Sequence, residues 1–187
     1  LRPLAAQVNG GARVGDLACG GGEVVVEAAR RARADDASVA WLGCDVSDVA
    51  LDVARRRAAD AGVSITFERR DVIAGEPPRG CDALMCSLFL HHLDPPDVVW
   101  LLRRMGEAAG RGIVVMDLSR TWTGLALAAV VPRLITRSAV VHVDAVRSAR
   151  AAYTAAELAD MAERAGLHGA TIERRWPARM ILHWMKR

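Results

Sequence analysis

The four cysteines, Cys19, Cys44, Cys81 and Cys86, form no C-x-x-C pair and show no metal-ligand spacing, so a zinc site or a redox-active dithiol has no support. Each falls in or beside a short apolar run, where a small reduced thiol packs well, and free thiols of this kind suit a reducing cytoplasm. No signal peptide stands at the start and no apolar run reaches the roughly 18 residues of a membrane span. The most apolar stretch, LALAAVVP, is far shorter. A soluble cytoplasmic protein is expected. Aromatic residues are few, 4%, and the arginines are scattered through helices instead of alternating with aromatics. With 25 basic and 22 acidic residues the net charge is only +3, which disfavours nucleic acid as a partner. The run Arg55-Arg56-Arg57 reads as a solvated helix face.

What remains is a chain of 187 residues, 52% hydrophobic, enough for one domain with a buried core. It begins at Leu1, without methionine and about eleven residues before the first strand, so further chain upstream is expected. The informative segment is VGDLACGGG, residues 14–22. An apolar strand there feeds a glycine cluster that opens the helical run EVVVEAARRA, a turn whose backbone a ligand can approach closely. The next apolar run, SVAWLGC, ends at Asp45, a carboxylate able to accept hydrogen bonds from both ribose hydroxyls. Together these features describe a nucleotide-type cofactor site. A dinucleotide fingerprint would need glycine at positions 20, 22 and 25, and position 25 is Val25, so the G-x-G-x-x-G of a nicotinamide oxidoreductase is incomplete.

Strands are expected near residues 12–17, 39–44, 64–69, 81–87 and 112–117, with helices near 22–34, 47–61 and 96–109 between them, the alternation of a parallel sheet covered on both faces. Ser47 and Asp97 read as helix caps and Gly62 as a helix end. Further on, TWTGLALAAVVPRLITRS reads as a helix interrupted by proline, YTAAELADMAERAG as a helix capped by Thr154, and HGATIERRW with ARMILHW as a hairpin of strands joined at Pro177.

The order Asp16-x-Ala18-Cys19-Gly20-x-Gly22 resembles the first motif of the class I S-adenosylmethionine (SAM)-dependent methyltransferases, usually D-x-G-x-G-x-G. Ala18 replaces the first glycine, a departure that matters only if position 18 needs a positive φ. The resemblance runs from Arg13 to Trp184 and implies a Rossmann-like, doubly wound, mostly parallel seven-stranded α/β sheet with a C-terminal antiparallel hairpin. It further implies that Asp16 holds the methionine amino group of SAM, directly or through water, and that the Ala18 carbonyl, Cys19, Gly20 and Gly22 border that end of SAM and of its product S-adenosylhomocysteine (SAH). Asp45 would take the ribose, Val46 the adenine face, Asp71 the adenine amino group and the Val72 backbone the ring edge. CDALMCSLFLHHLDPPD resembles the fourth motif, which places backbone near Ser87 at the methionine end and His91 and His92 near the methyl group. Cover helices are implied ahead of the chain, and a homodimer is compatible with the resemblance.

Methyl transfer from a sulfonium needs alignment and, for a hydroxyl acceptor, proton removal. His91 and His92 are base candidates, the alternative being that they fix the loop; His142 is another, against a capping role. Asp117 and Arg120 end the fifth strand as candidates to position an anionic acceptor, or as an ion pair. The Asp-Asn pair of a metal-dependent catechol methyltransferase is absent, which favours metal-independent transfer. Residues 120–153 occupy the place of a substrate cover, and their apolar character suits a flat, aromatic small-molecule acceptor. The string from Leu134 to Leu167 resembles bacterial methyltransferases of phenolic, quinone-like or polyketide-derived products. O-methylation of a phenolic hydroxyl is the expected reaction. C-methylation of an activated ring, a catalytically inactive SAM-binding subunit and a nicotinamide oxidoreductase remain as alternatives.

Overall fold

The structure, a computed structural model, describes residues 11–186. Seven strands form one sheet in the order β3-β2-β1-β4-β5-β7-β6: β1 Ala12–Leu17, β2 Val39–Asp45, β3 Thr66–Arg69, β4 Ala83–Ser87, β5 Gly112–Leu118, β6 Thr171–Arg175 and β7 Arg179–Met185. The first five run parallel, and β7 returns antiparallel to β5 with β6 on its outer edge. The helices are α1 Glu23–Ala34, α2 Asp48–Asp60, α3 Pro95–Ala108, α4 Trp122–Ile135, α5 Ala139–Ala151 and α6 Ala155–Arg164, with a 3-10 turn at Leu90–His92. This is the expected mostly parallel sheet with its terminal hairpin.

Alternation along the strands divides the core between two faces. On one face Leu17, Leu84, Cys86, Ile113, Val115 and Leu182 pack with Leu101, Leu102 and Met105 of α3 and Leu158 and Met161 of α6. On the other, Val14, Trp41, Ala83 and Met85 meet Val25 and Ala29 of α1 and Leu51 of α2. Truncating one of these buried leucines to alanine costs about 2–5 kcal/mol. All four cysteines are buried and unpaired.

Local chemistry explains the helix boundaries. The Ser47 hydroxyl accepts from Ala50 N–H at the start of α2, and Thr154 with Glu157 forms a full capping box on α6, satisfying N–H groups that lack helical partners. Two details depart from expectation. Asp94, not Asp97, holds the cap position of α3, because the following Pro95 and Pro96 take the first helical positions, where the missing N–H costs nothing. And α5 is a separate helix, initiated by the Ser138 hydroxyl accepting from Val141 N–H, in a segment where no distinct helix was expected.

Candidate active site

Parallel register carries the carboxyl ends of β1, β2, β4 and β5 to one edge, the edge where open α/β sheets bind ligands. Between β1 and α1 the chain turns through Ala18 (φ 53°), Gly20 (φ 53°) and Gly22 (φ 78°). Gly22 is required twice: its left-handed φ disfavours any side chain, and a Cβ would stand 2.8 Å from Ala54 Cβ, pushing α1 off α2. A Cβ on Gly20 would meet nothing within 4 Å, so this glycine faces open space. Ala18 does adopt the positive φ that makes its methyl costly, by about 1 kcal/mol relative to glycine. The substitution is therefore not neutral. Cys19 N–H donates to the Cys44 carbonyl at 2.9 Å, fastening the loop to the end of β2.

Three aspartates flank this loop in different states. Asp45 is already engaged: Oδ2 accepts from Gly20 N–H at 2.8 Å and Oδ1 from Ser47 N–H at 2.9 Å, leaving one further lone pair on each oxygen for a ligand. Asp71 sits exposed after β3, its Oδ1 accepting from Ile73 and Ala74 N–H, both at 2.9 Å. These bonds hold its pKa below the usual value and leave Oδ2 free of them. Asp16 is 1% exposed and its Oδ1 has no partner among the described residues. Burial, reinforced by the nearby Asp45 charge, pushes its pKa up to about 8. Val46 is exposed beyond Asp45, whereas the Val72 side chain is buried in the core.

At the end of β4, Ser87 is half-buried and Leu88 adopts φ 55°, its N–H donating to the Met116 carbonyl at 2.8 Å. A leucine in the left-handed region is strained, and nothing in its sequence context announces it. The 3-10 turn that follows carries His91 inward. Its Nδ1 lies 2.6 Å from Asp117 Oδ1, and its backbone N–H donates to Asp117 Oδ2 at 3.3 Å. Asp117 also accepts from Leu118 N–H at 2.6 Å. A carboxylate can only accept, so against it Nδ1 is the donor, which leaves Nε2 as the ring nitrogen able to accept when it carries no hydrogen. Both side chains are buried, 6% and 2% exposed. His92 is exposed, its ring centroid 4.1 Å from that of His91. Partial burial and then His91 lower its pKa below 6.5.

A glycine turn, strand-end acids and a histidine held by an aspartate are the setting in which comparison with known proteins is decisive. The methyltransferase domain family matches residues 14–112, more than half of the chain and the stretch that contains the loop, the three aspartates and His91. The chain belongs to this family. It is 30% identical over 165 residues to a ubiquinone biosynthesis O-methyltransferase of Xylella fastidiosa (strain 9a5c), a match covering 84% of this chain and 61% of that protein. The S-adenosylmethionine-dependent methyltransferase SibL superposes with a TM-score of 0.70 at 20% identity, covering 99% of this chain and 52% of that one. The magnesium protoporphyrin IX methyltransferase of Synechocystis PCC 6803 with bound SAH superposes at 0.66 with 18% identity, covering 95% and 75%. The chain thus spans about three fifths of the length of the Xylella protein.

Within this methyltransferase domain, two candidate side chains are tied to structural duties. Arg120 pairs with Glu157 Oε1 at 2.5 Å and donates to the Ala152 carbonyl at 3.2 Å, bracing the start of α6 against β5. His142 places Nε2 2.8 Å from the Thr136 carbonyl, closing the connection between α4 and α5. Tyr153 joins the cover to the histidine loop, its hydroxyl donating to the Leu93 carbonyl at 2.5 Å. In α4 only Gly124 is buried. A cavity of about 650 Å³ bordered by Arg103, Glu163, His168 and Trp184 lies at the opposite edge of the sheet, beside the start of β5. There Lys186 Nζ donates to the carbonyls of Gly106, Glu107 and Ala109 at the end of α3, so this cavity is separate from the strand-end site.

Proposed function

We propose that this chain binds SAM and transfers its methyl group to the hydroxyl oxygen of a small aromatic acceptor without a metal, acting as one domain in which residues 120–153 cover the acceptor. The observation that carries the reading is Asp16, a buried carboxylate with an unpartnered oxygen directly before the glycine loop. A group with a cationic end fits it. A dinucleotide fits it less well, since the pyrophosphate that such a loop would receive carries no cation for the Asp16 carboxyl.

When bound, SAM supplies a methyl carbon on a sulfonium whose sulfur leaves as a neutral thioether. Asp16 would receive the ammonium and Asp45 the ribose hydroxyls, while Asp71 Oδ2, Val46 and the Val72 backbone would hold the adenine. The Ala18 carbonyl, Cys19 and the Ser87 backbone border the methionine end. His91 Nε2 removes the acceptor's hydroxyl proton as the oxygen bonds to the methyl carbon, and Asp117 stabilises the resulting imidazolium before the proton passes to water. A base so placed contributes about 10²–10⁴-fold. Asp117 accepts three bonds, from the His91 ring and from the His91 and Leu118 N–H groups, and is 2% exposed, which assigns it to holding the histidine. The name of the Xylella relative, an O-methyltransferase of ubiquinone biosynthesis, supports oxygen as the nucleophile. C-methylation of an activated ring would use the same base.

Calorimetric titration with SAM, SAH and NADH tests the cofactor. Micromolar binding of the first two without NADH is expected; NADH binding, or binding of none, overturns the reading. Mass spectrometry of a panel of phenols incubated with enzyme and SAM then reads the acceptor class.

A further inference from the structure

An ordinary surface helix turns its apolar stripe toward the core. Helix α4 does the reverse. Trp122, Val130 and Leu134 are 89%, 54% and 80% exposed and, with exposed Ala126, repeat every four residues along one side. The apolar surface continues through Ile135 at the end of α4, 77% exposed, and across the connection into α5, where Val140 and Val143 are 77% and 68% exposed. A second element adds to it. Trp176, 90% exposed, sits in the turn between β6 and β7, and that turn abuts α4, because a Cβ on Gly124 would lie 2.7 Å from Ala178 Cβ. This turn pairs with the end of β5, Ser119 N–H donating to the Ala178 carbonyl at 2.9 Å, so both tryptophans belong to the reaction edge.

The charge around this surface is predominantly positive. Arg133, Arg137, Arg147 and Arg150 are all exposed, none ion-pairs with a described residue, and Asp144 is the one acidic residue from Trp122 to Ala151. Contiguous exposed apolar surface marks an interaction site. Apolar and indole side chains rimmed by arginine match an anionic lipid interface, where the first enter the acyl boundary and guanidinium groups meet phosphates. A second copy of the chain on a two-fold axis would face the same arginines with themselves, like charge on like. No helix of the described residues is long and apolar enough to cross a membrane, so contact would be at the surface.

We propose that the α4–α5 hairpin, with Trp122 and Trp176, docks this protein on an anionic lipid surface with its reaction edge toward the bilayer. The docking goes beyond methyl transfer and does not depend on it: SAM calorimetry without lipid reads the one, and sedimentation with vesicles reads the other. The test is co-sedimentation of the full chain with phosphatidylcholine vesicles made with and without phosphatidylglycerol. Binding only to the phosphatidylglycerol vesicles is expected, abolished in Leu134→Glu/Ile135→Glu and weakened about thirtyfold in Arg133→Gln/Arg137→Gln, while circular dichroism and SAM affinity stay at wild-type values. Absence of sedimentation, or equal binding to both vesicles, overturns the proposal. A dimer in analytical ultracentrifugation that Leu134→Glu dissociates would assign the patch to a second copy. A Trp122 emission, taken as wild type minus Trp122→Phe, that is already blue-shifted in buffer would show that the chain covers the patch itself; either result overturns lipid docking.

Discussion

His91 Nδ1 meets Asp117 Oδ1 at 2.6 Å, joining a 3-10 turn after β4 to the end of β5 across 26 residues of sequence. The bond selects the ring tautomer and aims Nε2 as the acceptor. Replacing His91 by Asn should lower kcat about 10²-fold or more, and Asp117→Asn should lower it by disturbing the tautomer, with SAM affinity unchanged in both. Steady-state kinetics beside calorimetry checks this; full activity in His91→Asn would leave the histidine a purely structural role.

The state of Asp16 makes cofactor binding pH-dependent. With a pKa near 8 against an ordinary 3.8, the free protein carries this carboxyl mostly protonated at pH 7, and an ammonium partner would ionise it. SAM binding at pH 7 should release close to one proton, measured by calorimetry in buffers of different ionisation enthalpy, and affinity should rise from pH 6 to pH 8. Stability runs the other way. The folded carboxyl holds its proton more tightly than the unfolded one, so this contribution is full below pH 4 and lost as pH climbs toward 8. Urea unfolding of Asp16→Asn should show a flatter pH dependence; an unchanged slope would contradict the buried, unpartnered carboxyl.

Ala18 at φ 53° offers a stabilising substitution. Ala18→Gly relieves the left-handed strain and should add about 1 kcal/mol, or 2–4 °C in Tm for a chain of this length. The gain is partly offset by the greater freedom of an unfolded glycine. A fall in Tm by calorimetric scan would show that the loop does not need this φ.

Asp45 organises the loop as well as facing the ligand edge. Asp45→Ala removes the acceptor for Gly20 and Ser47 N–H and should weaken SAM by about 1.5–3 kcal/mol. Unchanged affinity would remove Asp45 from the site.

Arg120 and Glu157 are each about two fifths exposed, so Arg120→Ala should cost at most about 1 kcal/mol of stability and leave SAM affinity alone. A large loss of kcat at unchanged stability would return Arg120 to the acceptor.

Much of this protein is legible in local sequence, because strand alternation, helix caps and glycine turns are written within a few residues of where they act. VGDLACGGG announces β1, its turn and α1; Ser47 and Thr154 cap the helices they precede; the hairpin around Pro177 follows from two short apolar runs and a proline. The positions of Asp16, Asp45 and Asp71 at strand ends follow from the same alternation. Even the arginines of α4 and α5 and the apolar stripe between them can be read as residue types. Other properties belong to the assembled fold. Asp117 is bound to His91 and Arg120 to Glu157 only because the sheet order brings β4, β5 and α6 together. The φ of Ala18, the unpartnered oxygen of Asp16 and the exposure of Trp122 and Leu134 likewise depend on what packs, or does not pack, against each residue from a distant part of the chain. Local sequence determines which elements form, since their hydrogen bonds close over a few residues; burial, strain and pairing are relations between elements, and tertiary structure alone decides them.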